Sequence, residues 1–354
     1  MAIRGAVVLL MLAGFGCATS RKPVTQSVFY PMLPQTPRIQ FLVGINDETD
    51  VGAKRATFRE FVTGKQKAVA SLQRPWDVAH EKGKIYVLDK SFGGVLIIDL
   101  ERRKLDLLRG SKRVQMINPS GLWISPDGTK YVADKDLGQI LTFDENNEFV
   151  RGYGADLDVQ PLDVAVDGDR LYLCDLNKEE VLVLDRSSGA LLSRIGRRGR
   201  GEGEFRWPTH LALGADGTLY VTDLLNSRVQ AFDRAGNFVR SIGQPGDFPG
   251  AMPRPKGLDV DRDGHLYVVD VAFELVQIFE AKTGQVLMPF GKIGPGPGGS
   301  HLPAGIHIDY DNVEFFTQYA DEDFRPEYLI YVCNQSGPAK LNVYAFGEWV
   351  TPGP

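Results

Sequence analysis

Residues 205–243, "FRWPTHLALGADGTLYVTDLLNSRVQAFDRAGNFVRSIG", contain the pattern that decides the fold of this chain. Four short apolar stretches alternate with turn residues, and the first turn is the pair Asp216 and Gly217. An Asp-Gly pair accepts the positive φ angles that a tight hairpin requires. The stretch therefore predicts four short antiparallel strands joined by hairpins.

The same pattern occurs six times, at intervals of 42 to 48 residues between prolines. The six copies begin at Pro75, Pro119, Pro161, Pro208, Pro255 and Pro303. The first five copies contain four apolar stretches, whereas the sixth ends before its fourth. The earlier stretch "RIQFLVGI", residues 38–45, supplies a strand for the missing place. We therefore predict an all-β, six-bladed β-propeller whose ring is closed by this N-terminal strand.

The fourth copy resembles the NHL repeat, in which a strand, an Asp-Gly turn and a "YVAD" motif precede an Asn-x-Arg step. Its matching residues are "YVTD" at 220–223, followed by Asn226 and Arg228. The other copies lack the Asn-x-Arg step. The resemblance covers about residues 38–347 and implies an NHL-like six-bladed propeller. It does not define a function, because such propellers serve many roles.

The N-terminal segment has features of an exported protein. Arg4 precedes an apolar run of the length of a secretory signal, which is too short to span a membrane. Cys17 follows this run and resembles the lipidated cysteine of bacterial lipoproteins, while cleavage at the small residues Gly16 and Ala18 is the alternative. The predicted layout is a signal peptide at 1–16, a lipidated tether at 17–37, the propeller at 38–347 with an insertion in its last blade at 309–327, and a tail at 348–354.

The composition favours a globular protein that does not bind nucleic acid. Hydrophobic residues make up 43% of the chain, enough for a sizeable core. The net charge of −5 argues against nucleic-acid binding, which favours a basic domain. The motifs G-x-S-x-G, H-E-x-x-H, Walker A and C-x-x-C-H do not occur. The sequence therefore predicts no catalytic nucleophile, no c-type haem and no other cofactor.

The first strand of each blade is expected to line the central channel of the propeller. Residues two and four positions after each proline lie on the same side of that strand. The acidic and histidine side chains at these positions are Asp77, Asp163, His210, Asp259 and His307. The resemblance in fold implies a role as channel metal ligands, because some such propellers are metal-dependent lyases or lactonases. The alternative is a set of hydrogen-bonded carboxylates in a wet channel, because no paired-histidine spacing supports a metal site.

The second strand of each copy ends in an acidic or amide residue. These residues are Asp89, Asp134, Asp175, Asp223, Asp270 and Asn334. We expect them to accept backbone hydrogen bonds in the turn that follows. Cys174 and Cys333 precede two of them, in blades on opposite sides of the ring. A disulfide needs Cα atoms within about 7 Å, so we predict two buried free thiols.

Two segments are candidates for partner binding. "GRRGRGEGEFRWP", residues 196–208, joins the third copy to the fourth, and Arg197, Arg198 and Arg200 make it a basic loop suited to an acidic partner. Phe205 and Trp207 are expected to anchor this loop. The insertion contains "NVEFFTQYA", a predicted short helix. Its aromatic residues either pack on the propeller or form a partner-binding lid; they are Phe315, Phe316 and Tyr319.

The C-terminal stretch "EYLIYVCNQSGPAKLNVYAFGEW", residues 327–349, resembles NHL lipoproteins that accompany multihaem cytochromes in metal-respiring bacteria. This resemblance implies an outer-membrane lipoprotein, or one on the periplasmic or extracellular face of the envelope. It also implies a protein partner, either a multihaem cytochrome or its assembly machinery. The expected function is a non-enzymatic envelope scaffold that supports extracellular electron transfer. The alternative is the metal-dependent lyase or lactonase that would use the channel residues.

Overall fold

The computed structural model describes residues 27–53 and 71–350. These residues form six blades around a central axis, numbered 1 to 6 in the order of their prolines. The N-terminal strands are β1 (Val28–Tyr30) and β2 (Ile39–Ile45). Blades 1 to 3 contain β3 (Pro75–Glu81), β4 (Lys84–Asp89), β5 (Gly94–Asp99), β6 (Lys104–Leu108), β7 (Pro119–Ile124), β8 (Lys130–Asp134), β9 (Gln139–Phe143), β10 (Phe149–Tyr153), β11 (Pro161–Asp167), β12 (Arg170–Asp175), β13 (Glu180–Asp185) and β14 (Leu191–Ile195).

Blades 4 to 6 follow the same plan. Their strands are β15 (Pro208–Leu213), β16 (Leu219–Asp223), β17 (Arg228–Phe232), β18 (Phe238–Ile242), β19 (Pro255–Val260), β20 (His265–Asp270), β21 (Leu275–Glu280), β22 (Val286–Phe290), the short parallel pair β23 (Lys292–Ile293) and β24 (Gly299–Ser300), then β25 (Pro303–Asp309), β26 (Phe324–Asn334) and β27 (Leu341–Trp349). The helical segments are α1 (Val313–Phe316) and two 3-10 turns, Leu224–Asn226 and Thr317–Tyr319. No helix in the described ranges has the length and apolar character needed to cross a membrane.

The ring closes through the N-terminal strand, which confirms the predicted fold. β2 pairs antiparallel with β27, so blade 6 has the strand order β1-β2-β27-β26-β25. Ile39 and Ile45 of β2 are fully buried, and each belongs to a different core cluster. The N-terminal strand therefore covers the edge that β27 would otherwise expose and completes the core on both sides of blade 6.

The structure differs from the predicted boundaries at two places. Val28–Tyr30 lies within the predicted tether, yet it pairs with β2 and adds a fifth strand to blade 6. The second strand of blade 6 begins at Phe324, within the predicted insertion, because it pairs along its length with β27 as far as Trp349. The predicted signal peptide and Cys17 lie outside the described residues.

The core consists of six hydrophobic clusters, each formed where neighbouring blades meet. Strand alternation explains this, because each blade presents apolar side chains on both faces. Cys174 and Cys333 are fully buried in different clusters and are free thiols, as predicted.

The acidic and amide residues at the ends of the second strands are fully buried. Each accepts a backbone hydrogen bond from the loop that enters the first strand of its own blade. The donor and acceptor pairs are Arg74 to Asp89, Ile117 to Asp134, Gln160 to Asp175, Arg206 to Asp223, Arg254 to Asp270 and His301 to Asn334. Four of them also accept a backbone N–H from the turn that follows the second strand, as expected; they are Asp89, Asp134, Asp175 and Asp270, and Asp270, for example, accepts from Ala272. These side chains therefore fix where each first strand starts.

Removing the closing strand tests the ring. A chain that starts at residue 50 lacks β1 and β2, so the buried side chains of Ile39 and Ile45 are lost and the edge of β27 is exposed. Each lost isoleucine costs about 2–5 kcal/mol, a large part of a typical stability of about 5–15 kcal/mol. We expect loss of cooperative thermal unfolding measured by circular dichroism. A chain starting at residue 27 keeps every described strand and is the control. A cooperative transition at the control's Tm in the shorter chain would disprove this closure.

Asp134→Ala tests the buried carboxylates. It leaves the backbone N–H groups of Ile117, Asn118 and Leu137 without their acceptor. We expect unfolding free energy to fall by at least about 2 kcal/mol, at a cost of about 1–3 kcal/mol for each buried group left unpaired. Asp144→Ala is the matched control, because Asp144 accepts two backbone N–H groups in an exposed turn of the same blade. Equal losses for the two variants in urea unfolding would contradict this role.

Candidate functional site

The six first strands run in the same direction along the channel. Residues two positions after the prolines of neighbouring blades are adjacent, as Gly121 is to Asp163 and Gly305 is to Asp77. The channel therefore has two distinct ends. We call the end where the first strands begin the proline end, and the end with the turns between first and second strands the turn end.

Three of the predicted channel residues hold pairs of blades together. Asp77 accepts hydrogen bonds from Val78 of its own strand, 2.9 Å, and from Leu122 of blade 2, 2.8 Å. Asp163 joins blade 3 to blade 4 in the same way, and Asp259 joins blade 5 to blade 6; their partners are Val164 and Leu211, then Val260 and Ile308. Both oxygens of each carboxylate therefore have structural partners.

Glycine makes this close approach possible. A Cβ atom at Gly121 would lie 2.3 Å from Oδ1 of Asp163, and one at Gly305 would lie 2.7 Å from Oδ1 of Asp77. Contacts this short are not tolerated, so any other residue at these positions would push the neighbouring blades apart.

The five predicted metal candidates line one small cavity on the axis. Its volume is about 30 Å³, and Asp77, Asp163, His210, Asp259 and His307 all border it. That volume suits one or two water molecules and excludes an organic substrate. Within residues 27–53 and 71–350, no three of these five bring ligand atoms within 4.8 Å of one another.

The charges in this cavity are strongly perturbed. Burial raises the pKa of Asp77 to about 6, against the opposing hydrogen bonds from Leu122 and Val78. Burial and the nearby Asp77 also raise the pKa of Asp163. Burial, Lys256 and Lys90 lower the pKa of His210 to about 3. His210 is therefore neutral at physiological pH, and within the described part of the chain neither ring nitrogen has a hydrogen-bond partner.

The proline end has a positively charged mouth around an aromatic ring. Nζ of Lys256 lies 3.7 Å from the centre of the Trp76 ring, and Nζ of Lys90 lies 4.9 Å from it. Burial lowers the pKa of each lysine to about 8, and Arg74 opposes both charges. No carboxylate of the described residues lies within 4.0 Å of these two ammonium groups or of the Arg74 guanidinium. We call Arg74, Trp76, Lys90 and Lys256 the basic mouth.

The predicted basic loop leads into the same end, but much of its charge is paired. Arg197 forms an ion pair with Glu204, and Arg198 forms one with Glu179. Arg200 is exposed, and its backbone N–H donates to Glu204. Phe205 is fully buried and anchors the loop as expected.

The expectation that Trp207 also anchors this loop is wrong. Its side chain is 48% exposed, and its φ of 60° lies in the left-handed region that disfavours a bulky residue. This backbone directs the ring to solvent beside Pro208. Trp207 therefore adds an exposed aromatic surface to the proline end.

The aromatic residues of the insertion are held against the propeller at the turn end. Phe316 of α1 is fully buried, with its ring centre 6.2 Å from that of Tyr331. Phe315 packs against the same core cluster. The hydroxyl of Tyr319 donates to the carbonyl of Asp50. These contacts fit the packing alternative for the insertion.

An array of histidines and carboxylates lies at the turn end, where blade 6 meets blade 1. Nδ1 of His307 is 3.0 Å from Oδ2 of Asp259, and Nε2 of His307 is 2.8 Å from Nδ1 of His80. Nε2 of His80 then faces Oδ1 of Asp309 at 3.2 Å and Oδ2 of Asp311 at 3.3 Å. Burial opposes the charged form of His307, but its hydrogen bond to Asp259 raises its pKa, whereas burial and His307 lower the pKa of His80.

Sequence reasoning identified Asp259 and His307 but missed the rest of this array. A usable signal was present: His80 and His307 lie five and four residues after their prolines, in blades that closure makes neighbours. A cavity of about 520 Å³ adjoins the array and is lined in part by His80, Asp311, Arg262 and Tyr310. The turn end therefore has the larger of the two spaces near the axis.

Several solved structures have the same fold. A virginiamycin B lyase from Staphylococcus aureus is 15% identical, with a TM-score of 0.53 over 77% of this chain and 95% of that chain. A gluconolactonase from Xanthomonas campestris is 17% identical, with a TM-score of 0.57 over 86% and 98% of the two chains. A protein of unknown function from Bacteroides thetaiotaomicron is 15% identical, with a TM-score of 0.59 over 87% and 75%.

No protein-family model and no curated protein matches the chain. The likeness to the solved structures is in three-dimensional fold, at identities of 13–17%. Proteins with this fold carry out unrelated functions, so the likeness assigns no activity. The chain shares the six-bladed β-propeller fold with these proteins.

Proposed function

We propose that this protein is a non-enzymatic binding protein of the bacterial envelope that holds an acidic protein partner at the proline end of its propeller. The observation that carries the proposal is the basic mouth, where Lys90 and Lys256 share the Trp76 ring without a carboxylate partner. A carboxylate from a partner would supply the missing counter-charge.

The energetics of the mouth favour such a partner. Partial burial disfavours the charged form of both lysines. Repulsion by Lys90 and Arg74 adds to that effect on Lys256, and repulsion by Lys135 and Arg74 adds to it on Lys90. A carboxylate placed between them would remove the repulsion in an environment where charge interactions are stronger than in water. Positive charge at a binding face also attracts an acidic protein before contact.

Two aromatic rings give the same end the composition of a protein-binding surface. Trp76 is half-buried at the mouth, and Trp207 is exposed on the neighbouring loop. Tryptophan and arginine are enriched among the residues that contribute most to protein interfaces. Arg200, whose side chain has no ion pair among the described residues, extends this surface.

The proposed envelope location and partner class rest on the sequence. The signal-like N-terminus with Cys17 supports a lipid anchor, and residues 327–349 support an association with multihaem cytochromes or their assembly machinery. On this proposal the protein is a scaffold in support of extracellular electron transfer.

The alternative function, a metal-dependent lyase or lactonase using the channel residues, has weaker support. The two enzymes with a similar fold favour it only through that fold. The channel cavity of about 30 Å³ is too small for an organic substrate.

Charge reversal tests the proposal directly. The double variant Lys90→Glu and Lys256→Glu is expected to reduce retention of acidic envelope proteins by at least about tenfold, because attraction becomes repulsion. The pair of changes Lys82→Glu and Lys282→Glu, in exposed turns at the turn end, is the control matched for net charge. The measurement is quantitative mass spectrometry of proteins captured from envelope extracts by each immobilised variant. Equal capture by the double variant and the control would reject the mouth as the binding site.

The lysine pKa values give a second test. Both ammonium groups are charged well below pH 8 and lose their charge as the pH rises through about 8, so affinity for an acidic partner is expected to fall between pH 7 and pH 9. In the free protein, reductive ¹³C-methylation followed by NMR titration should show two lysines titrating near pH 8. Their signals are assigned by Lys90→Arg and Lys256→Arg. Ordinary pKa values for both lysines would remove the physical basis of the proposal.

A further inference from the structure

We infer that the turn end contains a binding site for one divalent cation of zinc size, with His80, Asp309 and Asp311 as its ligands. This site lies at the opposite end of the channel from the basic mouth and is independent of the proposed partner binding. It also differs from the predicted channel site, since none of its three ligands was among the predicted candidates.

The distances between the ligand atoms fit a shared cation. Metal–ligand bonds of roughly 2.0–2.1 Å at a tetrahedral angle place two ligand atoms about 3.3–3.4 Å apart. Nε2 of His80 lies 3.2 Å from Oδ1 of Asp309 and 3.3 Å from Oδ2 of Asp311. Charge-assisted hydrogen bonds are shorter, about 2.7–2.9 Å, and an N–H shared between two acceptors forms only a weaker, bifurcated bond to each. The two similar distances therefore favour a cation between the three atoms.

The hydrogen bonds outside the ligand set support the same conclusion. The carboxylate of Asp259 only accepts, so Nδ1 of His307 donates to it. A neutral His307 ring then accepts at Nε2, and Nδ1 of His80 donates to that nitrogen, 2.8 Å away, whereas a protonated His307 would itself donate to His80. The cation site corresponds to the first of these two arrangements.

In this arrangement neutral His80 directs the lone pair of Nε2 at Oδ1 of Asp309 and Oδ2 of Asp311, and neither oxygen can donate a proton to it. Oδ1 of Asp309 also accepts the backbone N–H groups of Asp311 and Asn312. A cation at this point would supply the partner that Nε2 of His80 and Oδ2 of Asp311 need.

This arrangement is the one that orients histidine ligands in metalloproteins. A metal-bound histidine usually donates its other N–H to a carboxylate or a similar acceptor, which fixes the ring and raises its basicity. Here His307 relays that interaction from His80 to Asp259. His307 and Asp259 are therefore positioning residues for the site.

The two carboxylates are presented differently, which leaves one side of the site open. Asp309 is fully buried. Its Oδ2 accepts hydrogen bonds from the side chains of Tyr331 and Asn312, and backbone N–H groups of Asp311 and Asn312 hold its Oδ1 in place. Asp311 is half exposed and borders the cavity of about 520 Å³. Three protein ligands beside an open space leave a fourth position for water or another small molecule. A histidine with two carboxylates suits Zn²⁺ better than Ca²⁺ or Mg²⁺, which favour oxygen ligands alone.

A similar group one blade earlier lacks these features and supplies a control. Asp261, Asp263 and His265 also bring ligand atoms within 4.8 Å of one another. Nδ1 of His265, however, lies 2.8 Å from Oδ2 of Asp261, which is a hydrogen-bond distance and too short for two tetrahedral ligands. No relay to a further carboxylate extends from His265 in the described structure. We therefore expect this group to bind no cation tightly.

The test is a titration of the chelator-treated full chain with Zn²⁺ alone, measured by competition with a zinc-sensitive dye. The expected result is one Zn²⁺ per chain, with affinity at least 100-fold lower in His80→Ala and at least tenfold lower in Asp311→Asn. His265→Ala should bind like the original chain. Asp311 is exposed, so its substitution should preserve the melting curve and keep the test valid if His80→Ala fails to fold. Absence of binding, or equal affinity in Asp311→Asn and the original chain, would overturn the assignment.

His307→Phe tests the relay. The phenyl ring removes the donor to Asp259 and the acceptor for His80, and we expect Zn²⁺ affinity to fall by about 10–100-fold while the stoichiometry stays at one per chain. Co²⁺ in place of Zn²⁺ provides a spectroscopic readout, because visible absorption reports the coordination geometry. A changed Co²⁺ spectrum would support the positioning role. An unchanged affinity and spectrum in a folded variant would show that His307 does not position His80.

Discussion

The fold depends on hydrogen bonds from backbone N–H groups to buried side chains at the ends of the second strands. Each of these side chains ties the loop that enters a blade to the strand that follows in the same blade, as Asp89 does with Arg74. The interaction is local in sequence, so every repeat can form it without help from the other repeats. It fixes the starting point of each first strand, and everything that lines the channel is positioned from there.

Contacts between neighbouring blades then determine which channel residues lie close together. Asp77, Asp163 and Asp259 each use one oxygen on their own strand and the other on the next blade. They join blades in pairs around the axis and leave only a small cavity. Closure by β2 brings blade 6 against blade 1, and only this contact places His307 beside His80. The polar chemistry of the two channel ends thus follows from how the ring is assembled.

The sequence was sufficient for the fold because the fold repeats. Prolines, Asp-Gly turns and strand-ending aspartates occur at regular intervals, and alternation along the strands placed Asp77, Asp163, His210, Asp259 and His307 on one cavity. The roles of these residues were harder to infer. The hydrogen bond from Leu122 to Asp77 joins residues 45 positions apart and depends on how closely two strands approach. The alternation of side chains along a strand does not determine the distance between two neighbouring strands.

The features at the two channel ends depend on details that the repeat pattern does not contain. The basic mouth requires the Trp76 ring to reach Lys256 of blade 5, and the exposure of Trp207 follows from a left-handed backbone conformation. His80, Asp309 and Asp311 come from the two ends of the propeller sequence. Irregular register near the start of the first strands, as between Pro303 and Ile306, adds offsets that equal spacing from the prolines does not predict.

The basic mouth gives an acidic chain a local patch of positive charge. Arg74, Lys90 and Lys256 have no carboxylate partner among the described residues, whereas Asp127 at the turn end is paired with Arg186. A chain with a net charge of −5 therefore still presents a positive patch. In the field of an acidic body such a patch favours one orientation of the molecule before any surfaces touch. Added salt shortens the range of this alignment, which at physiological ionic strength extends about 8 Å from the surface.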